Sequence, residues 1–145
     1  MDRHRAEAIV NACHDAWSTR DLDRMFRHFH PEIVYTCNVE TPGASPVRYI
    51  GKDAMRSFLA PALEVLESVS VVEGFQYNGQ NARTTIACYL KHFRTGIVLS
   101  GQYRQVYRFR DELIDQLEEF HDAAKMATFW RLVQHTEAMQ LQAQR

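Results

Sequence analysis

The chain lacks several features that would have set its class at once. No apolar run approaches the roughly 18 residues of a membrane-crossing helix. The charged start Met1-Asp2-Arg3-His4-Arg5 has no apolar core behind it of the kind a secretory leader needs. Neither sign of charge dominates: 17 basic and 18 acidic residues leave a formal −1, without the positive excess of a nucleic-acid or membrane-surface footprint. Cysteine is scarce and odd in number. Cys13, Cys37 and Cys88 lie far apart, so neither a disulfide framework nor a zinc spacing is written. Nor do the seven histidines write one, because His28 and His30 straddle a predicted helix end with no His-x3-His or carboxylate spacing beside them. These absences predict a cytoplasmic protein with reduced thiols, no metal, no nucleic-acid partner and no membrane.

What is present suits one globular domain. The chain has 145 residues, 46% of them hydrophobic, and a chain of that length buries roughly 70% of its extended surface without staples. Residues 1–145 therefore read as a single domain, with a tail from about 136 that loses its apolar stripe and is expected to fray.

Periodicity divides the chain in two. Ile9, Val10, Cys13, Ala16 and Trp17 share a stripe at helical spacing. Asp21 and its neighbours cap a second helix through Leu22, Met25, Phe26 and Phe29, which Pro31 should end. The β-branched run Ile33 to Cys37 reads as a strand that leaves into a loop through Pro42, Gly43 and Pro46. A third helix is predicted over Asp53 to Ser68, kinked by Pro61. From Val69 the period becomes two: Val69–Tyr77, Arg83–Thr95, Ile97–Arg110 and Leu113–Phe120 form an antiparallel meander with turns at Asn78-Gly79, Thr95-Gly96 and Asp111-Glu112. Asp122 caps a closing helix carrying Met126, Phe129, Trp130 and Val133. Helices gathered on one face of a curved sheet make an α+β domain, and such a sheet wraps a pocket.

That order resembles the nuclear transport factor 2-like cone fold, with three helices in the N-terminal half and one closing the C-terminal end. Asp21-Leu22-Asp23, Phe29 and the strand to Cys37 resemble the second-helix-to-first-strand region of ketosteroid isomerases. Gly51-Lys52-Asp53-Ala54-Met55 and Phe58 resemble the glycine-started third helix shared by those isomerases and the SnoaL-like polyketide cyclases. The resemblance also locates the isomerases' tyrosine, base and second aspartate, which fall here on Cys13, Cys37 and Gln105. None of the three can do the isomerase's work in the same way. The cyclases' last-strand Glu-His-Trp-Asp run falls on Asp115-Gln116-Leu117-Glu118, so the resemblance assigns the cyclase carboxylate to Glu118.

A two-residue turn at Asp111-Glu112 would put Arg108 opposite Asp115, Val106 opposite Leu117 and Arg104 opposite Glu119 on one face. The other face would pair Gln105 with Glu118, Tyr107 with Gln116 and Tyr103 with Phe120. The family turns this second face toward the pocket. Counted from Thr95-Gly96 in the same way, His92 would face Leu99, Leu90 would face Gly101 and Cys88 would face Tyr103, also inward.

The expected site therefore has Glu118 as general base, Gln105 holding it or the substrate oxygen, and His92 or Tyr103 donating to a developing oxyanion. If the Asp111-Glu112 turn held one residue more, the two faces of the last strand would exchange and Glu119, beside His121, would be the pocket carboxylate. Tyr103, Tyr107, Phe120, Gln116, Tyr35, Cys37 and Trp17 would line the ligand site. The implied activity is that of a cofactor-independent enzyme performing isomerase-, cyclase- or dehydratase-type proton transfer on a hydrophobic cyclic carbonyl or hydroxyl compound. A non-catalytic binding module on the same pocket and a dimeric interaction protein are the rivals. A homodimer is expected through Tyr89, Phe93, Val98, Val106 and Leu117 on the outer face.

Overall fold

The structure is a computed structural model that describes residues 1–39 and 45–145. Two helices open it, α1 (Arg3–Ser18) and α2 (Leu22–Phe26). The Asp2 carboxylate accepts from the Arg5 N–H at 2.8 Å and that of Asp21 from the Arg24 N–H at 3.0 Å, each satisfying a donor that the first helical turn leaves orphaned. The remaining elements are β1 (Phe29–Cys37), β2 (Val47–Ile50), α3 (Lys52–Val65), β3 (Leu66–Tyr77), β4 (Asn81–His92), β5 (Val98–Arg110), β6 (Leu113–Phe120) and α4 (Ala123–Ala143).

The six strands form one curved open sheet in the order β2-β1-β6-β5-β4-β3. All neighbours are antiparallel except β1 and β6, which run parallel. That one parallel pair lays the first long strand beside the last. Ile9 and Val10 of α1 pack with Ile33, Ile114 and Val133 in the buried core. Among the described residues no helix is long and apolar enough to cross a membrane.

The α+β architecture is the expected one, and its departures have physical causes. The second helix stops at Phe26 and Pro31 lies inside β1. A proline can sit there because the β1–β6 register breaks between Phe29 and Val34, so no regular ladder bond is demanded of its missing N–H. The loop expected after Cys37 contains a short strand, β2, paired with β1; Pro42 and Gly43 fall outside the described residues. The third helix ends at Val65 rather than Ser68, with β3 starting at Leu66. The closing helix continues to Ala143 where fraying was expected. Its extension is tied down by Glu137, 3.7 Å from His92 Nε2 and 3.9 Å from Arg94, and by Gln140 donating to the Arg94 carbonyl at 3.3 Å.

Two register outcomes decide the site. The β4–β5 connection is longer than a two-residue turn, so Leu90 faces Leu99 and Cys88 faces Gly101. This shift of two positions leaves each side chain on its expected face. The β5–β6 turn is as predicted: Asp111 and Glu112 both have positive φ, 52° and 61°, and Arg110 pairs with Leu113. Beyond it the pairing jumps from Phe109↔Ile114 to Arg108↔Gln116, which leaves Asp115 as an extra residue in a β-bulge. The Arg108 guanidinium clasps the buried Asp115 carboxylate with two bonds, 2.8 and 3.0 Å, and Arg110 approaches it at 3.6 Å. The expected Arg108–Asp115 ion pair thus forms, and at the same time the rest of β6 slips by one.

Candidate functional site

The slip exchanges the two faces of β6. Leu117, Glu119 and, just beyond the strand, His121 line the cavity, while Gln116, Glu118 and Phe120 do not. Glu118 pairs with Val106 and accepts from the Gln116 amide at 2.8 Å, and Phe120 is exposed opposite Arg104. Three expected site residues are thereby corrected for one reason: a single unpaired residue at Asp115 inverts every inward assignment after it. His92 is buried, as its register implied, but away from the cavity. It lies edge-on to Trp130 with ring centroids 6.1 Å apart and its Nδ1 is 2.9 Å from the Thr95 hydroxyl. It fastens the β4–β5 turn beneath α4. The other expected residues, Gln105, Tyr103, Tyr107, Tyr35, Cys37 and Trp17, all line the cavity.

The cavity encloses about 130 Å³ between the sheet, α1 and α3, with mainly apolar walls. Phe58 of α3 forms part of them, stacked on Tyr49 of β2 at 4.9 Å and tilted against Tyr35 at 5.9 Å. The unexpected strand β2 therefore backs an aromatic wall. Polar groups collect in two places.

The first is a neutral network. His14 Nδ1 lies 2.7 Å from the Ser70 hydroxyl and its Nε2 lies 2.8 Å from Gln105 Oε1 and 3.1 Å from the Tyr107 hydroxyl. The Tyr107 hydroxyl also donates to Gln105 Oε1. With Nε2–H donating to the amide oxygen, Nδ1 accepts from Ser70, and the imidazole is satisfied without charge. Burial pushes its pKa down, only partly opposed by the Gln105 hydrogen bond. Trp17 Nε1 donates to the Ser68 hydroxyl at 2.8 Å nearby.

The second is a charged corner. His121 Nε2 lies 2.8 Å from Glu119 Oε2, the two side chains being 15% and 13% exposed, so the pair is shielded from bulk water yet open to the cavity. Cys37 is the Cα partner of Glu119 across β1 and β6. Burial opposes charge on His121, but hydrogen bonding with Cys37 and Glu119 outweighs it and lifts its pKa to about 10. The Tyr103 ring stacks on the imidazole with centroids 4.3 Å apart. Burial, reinforced by the nearby Glu119 charge, pushes the Tyr103 and Tyr35 hydroxyls well up, so both remain proton donors at neutral pH. Asn38 locks the strand ends, accepting from the His121 N–H at 2.7 Å and donating to its carbonyl at 2.8 Å.

The residues that sequence reasoning missed left traces. His14 stands four residues after Val10 and three before Trp17, on the edge of the stripe already recognised. Ser68 and Ser70 face inward while Val69 and Val71 are exposed, an inverted pattern that hides a polar pocket wall. Glu119, beside His121, is the carboxylate of the alternative register; the extra residue that selects it lies at Asp115 and not in the turn.

Comparison with known proteins places the fold. A model of the SnoaL-like domain matches residues 10–117. No curated protein matches the sequence at a significant level. Among solved structures, a nuclear transport factor 2-like protein of unknown function from Burkholderia pseudomallei is 17% identical with a TM-score of 0.76, over 89% of this chain and 98% of its own. TerC, co-crystallised with polyporic acid, is 15% identical with a TM-score of 0.76, over 88% and 98%. An epoxide hydrolase of the LEH-like type from M. tuberculosis is 15% identical with a TM-score of 0.72, over 88% and 90%. At these identities the structural likeness speaks for the fold alone.

Proposed function

Because the chain belongs to the SnoaL-like domain family, we propose that it is an enzyme of small hydrophobic carbonyl or hydroxyl compounds that works by proton transfer inside the cavity. The observation that carries this reading is the Glu119 carboxylate, paired with His121 at 2.8 Å on the wall of an apolar cavity. In the proposed chemistry Glu119 takes a proton from carbon next to a substrate carbonyl. The Tyr103 or Tyr35 hydroxyl donates to the oxygen on which charge develops, and His121 fixes the carboxylate's position. The Gln105 amide, whose oxygen is already engaged by His14 and Tyr107, turns its NH2 to the far end of the substrate. Isomerisation, aldol cyclisation and dehydration all begin with this step. A relative co-crystallised with polyporic acid supports a small organic ligand here; a binding module without turnover would not need a carboxylate held for acid–base work.

The test is hydrogen exchange into a panel of ring ketones and hydroxylated aromatics in D2O, followed by NMR. Wild type should catalyse exchange next to the carbonyl, and Glu119→Gln should reduce it by roughly 10² or more while retaining ligand affinity. Equal exchange by the variant, or a bound ligand with no exchange, would overturn the reading.

The proposal extends to assembly and location. Val71, Phe93, Val98 and Phe120 leave an apolar outer face exposed, fit to pair with a second copy. Val106 is only partly exposed, and Leu117, expected on that face, is buried inside instead. Sedimentation at micromolar concentration should give a dimer that Val71→Glu splits; a monodisperse monomer would refute it. Three unpaired thiols suit the cytoplasm.

A further inference from the structure

Cys37, Glu119 and His121 offer one sulfur, one carboxylate oxygen and one imidazole nitrogen, all within 4.8 Å of one another. Cys37 comes from the end of β1, and Glu119 and His121 from the end of β6 and just beyond it, so only the parallel strand pair brings them together. Among the described residues no other trio of such donors is this close. All three line the cavity, and Asn38 holds the two strand ends in register from the side.

We propose that this corner is a three-ligand site for a thiophilic divalent cation of the zinc class. The donor set selects the ion, since thiolate and imidazole favour zinc or cobalt while magnesium and calcium take oxygen donors. Charge balance agrees: a thiolate and a carboxylate carry two negative charges, and a divalent cation neutralises both in a pocket where an uncompensated charge is costly. Three protein ligands leave a fourth tetrahedral position, which opens on the cavity, as in catalytic rather than structural zinc sites. Loading displaces the proton that His121 holds against Glu119 and regroups donor atoms that already lie within 4.8 Å of one another. The His121–Glu119 contact of 2.8 Å has to widen to about 3.3 Å, the spacing of two ligands bound tetrahedrally at about 2.0–2.1 Å. Sequence spacing could not reveal the site, because Cys37 lies far from Glu119 and His121 in the sequence.

Cation binding stands apart from the proton-transfer reading; only its consequence rests on that reading. A Glu119 oxygen that ligates a cation is no longer free to act as a base, so the loaded and the proton-transferring forms exclude each other. The cation is therefore a regulator of the site.

The test uses full-length protein stripped with a chelator and titrated with Co2+. One equivalent should produce a thiolate-to-cobalt charge-transfer band in the near ultraviolet and tetrahedral bands in the visible, and one equivalent of Zn2+ should remove both. Cys37→Ser should abolish the near-ultraviolet band, and Cys88→Ser should keep it. Glu119→Gln and His121→Asn should each weaken Co2+ binding at least about tenfold, since even outer-shell partners of a metal site are worth about 10–100-fold. Absence of the band from wild type, or its persistence in Cys37→Ser, would overturn the proposal. The wild-type titration is decisive even if a variant fails to fold. Exchange into ring ketones, measured on stripped protein, is read separately. A cobalt band without exchange sinks the base role and leaves the cation site. Exchange without the band does the reverse, and exchange undiminished by stoichiometric Zn2+ refutes the regulation.

Discussion

His14 and His121 look into the same cavity, one from α1 and one from the end of the sheet, and both are largely removed from water. Burial alone would make both neutral. His14 meets only neutral partners, the Ser70 hydroxyl, the Gln105 amide and the Tyr107 phenol, and its pKa is driven down. His121 meets a carboxylate and a thiol, and its pKa rises to about 10 in spite of burial. The character of each pocket end is thus set by what faces the imidazole. A network satisfied by neutral partners holds shape, and a pair holding opposite charges keeps a proton ready to move.

Breaking that contrast should produce effects of decreasing size. His121→Asn, assayed in chelator-stripped protein below its unfolding transition, should lower exchange activity by roughly 10²-fold and also lower the melting temperature at neutral pH, because the ion pair with Glu119 is lost; an effect confined to stability would show that His121 is scaffolding. His14→Leu should act mainly on stability. It leaves Ser70, Gln105 and Tyr107 short of a partner and should cost about 1–3 kcal/mol in urea unfolding, with a smaller loss of activity than His121→Asn.

The two histidines should also leave opposite marks on stability against pH. A lowered folded-state pKa means that the unfolded chain binds the proton more readily, so His14's contribution is complete above the unfolded value near 6.5 and is lost as pH falls through its folded value. His121's contribution is complete below 6.5 and is lost as pH rises through about 10. Urea titrations of stripped protein should show the acid limb shrink in His14→Leu and the loss of stability between about pH 6.5 and 10 shrink in His121→Asn; exchanged limbs would refute the assignment. The smallest effect belongs to Glu118→Gln. Partly exposed on the outer face beside Gln116, it should change activity by no more than a few-fold and stability by about 0.5 kcal/mol or less. A large loss of activity there would return the catalytic carboxylate to the outer position.

Element types and order were readable because local chemistry states them: Asp21 and Asp122 cap helices, and Asp111-Glu112 makes the two-residue turn expected of it. The cavity's aromatic lining was readable too, because Tyr103, Gln105 and Tyr107 lie before the bulge, where parity counted from the turn still holds. The two hairpins show where reading ended. Around Thr95-Gly96 the pairing was off by two and every face survived. In β6 the turn was right, and one extra residue at Asp115 reversed the faces. A bulge is fixed by tertiary demands, here a buried carboxylate clasped by Arg108, and leaves no local signature. Cys37 and His14 gained their partners from strands distant in sequence, through pairings that periodicity does not encode.

The Asp115 bulge also bears on how relatives at 15–17% identity can be compared. An ungapped count from the β5–β6 turn puts the carboxylate expected from the resemblance to polyketide cyclases on Glu118, yet in this chain Glu118 lies outside the cavity. β6 carries adjacent acids, Glu118 and Glu119, so gain or loss of a single residue upstream would swap which one the cavity sees while the composition of the strand hardly changed. Insertions of one residue in this hairpin would then act as a switch of chemistry between lineages, and the count of residues from turn to carboxylate would classify them better than percentage identity.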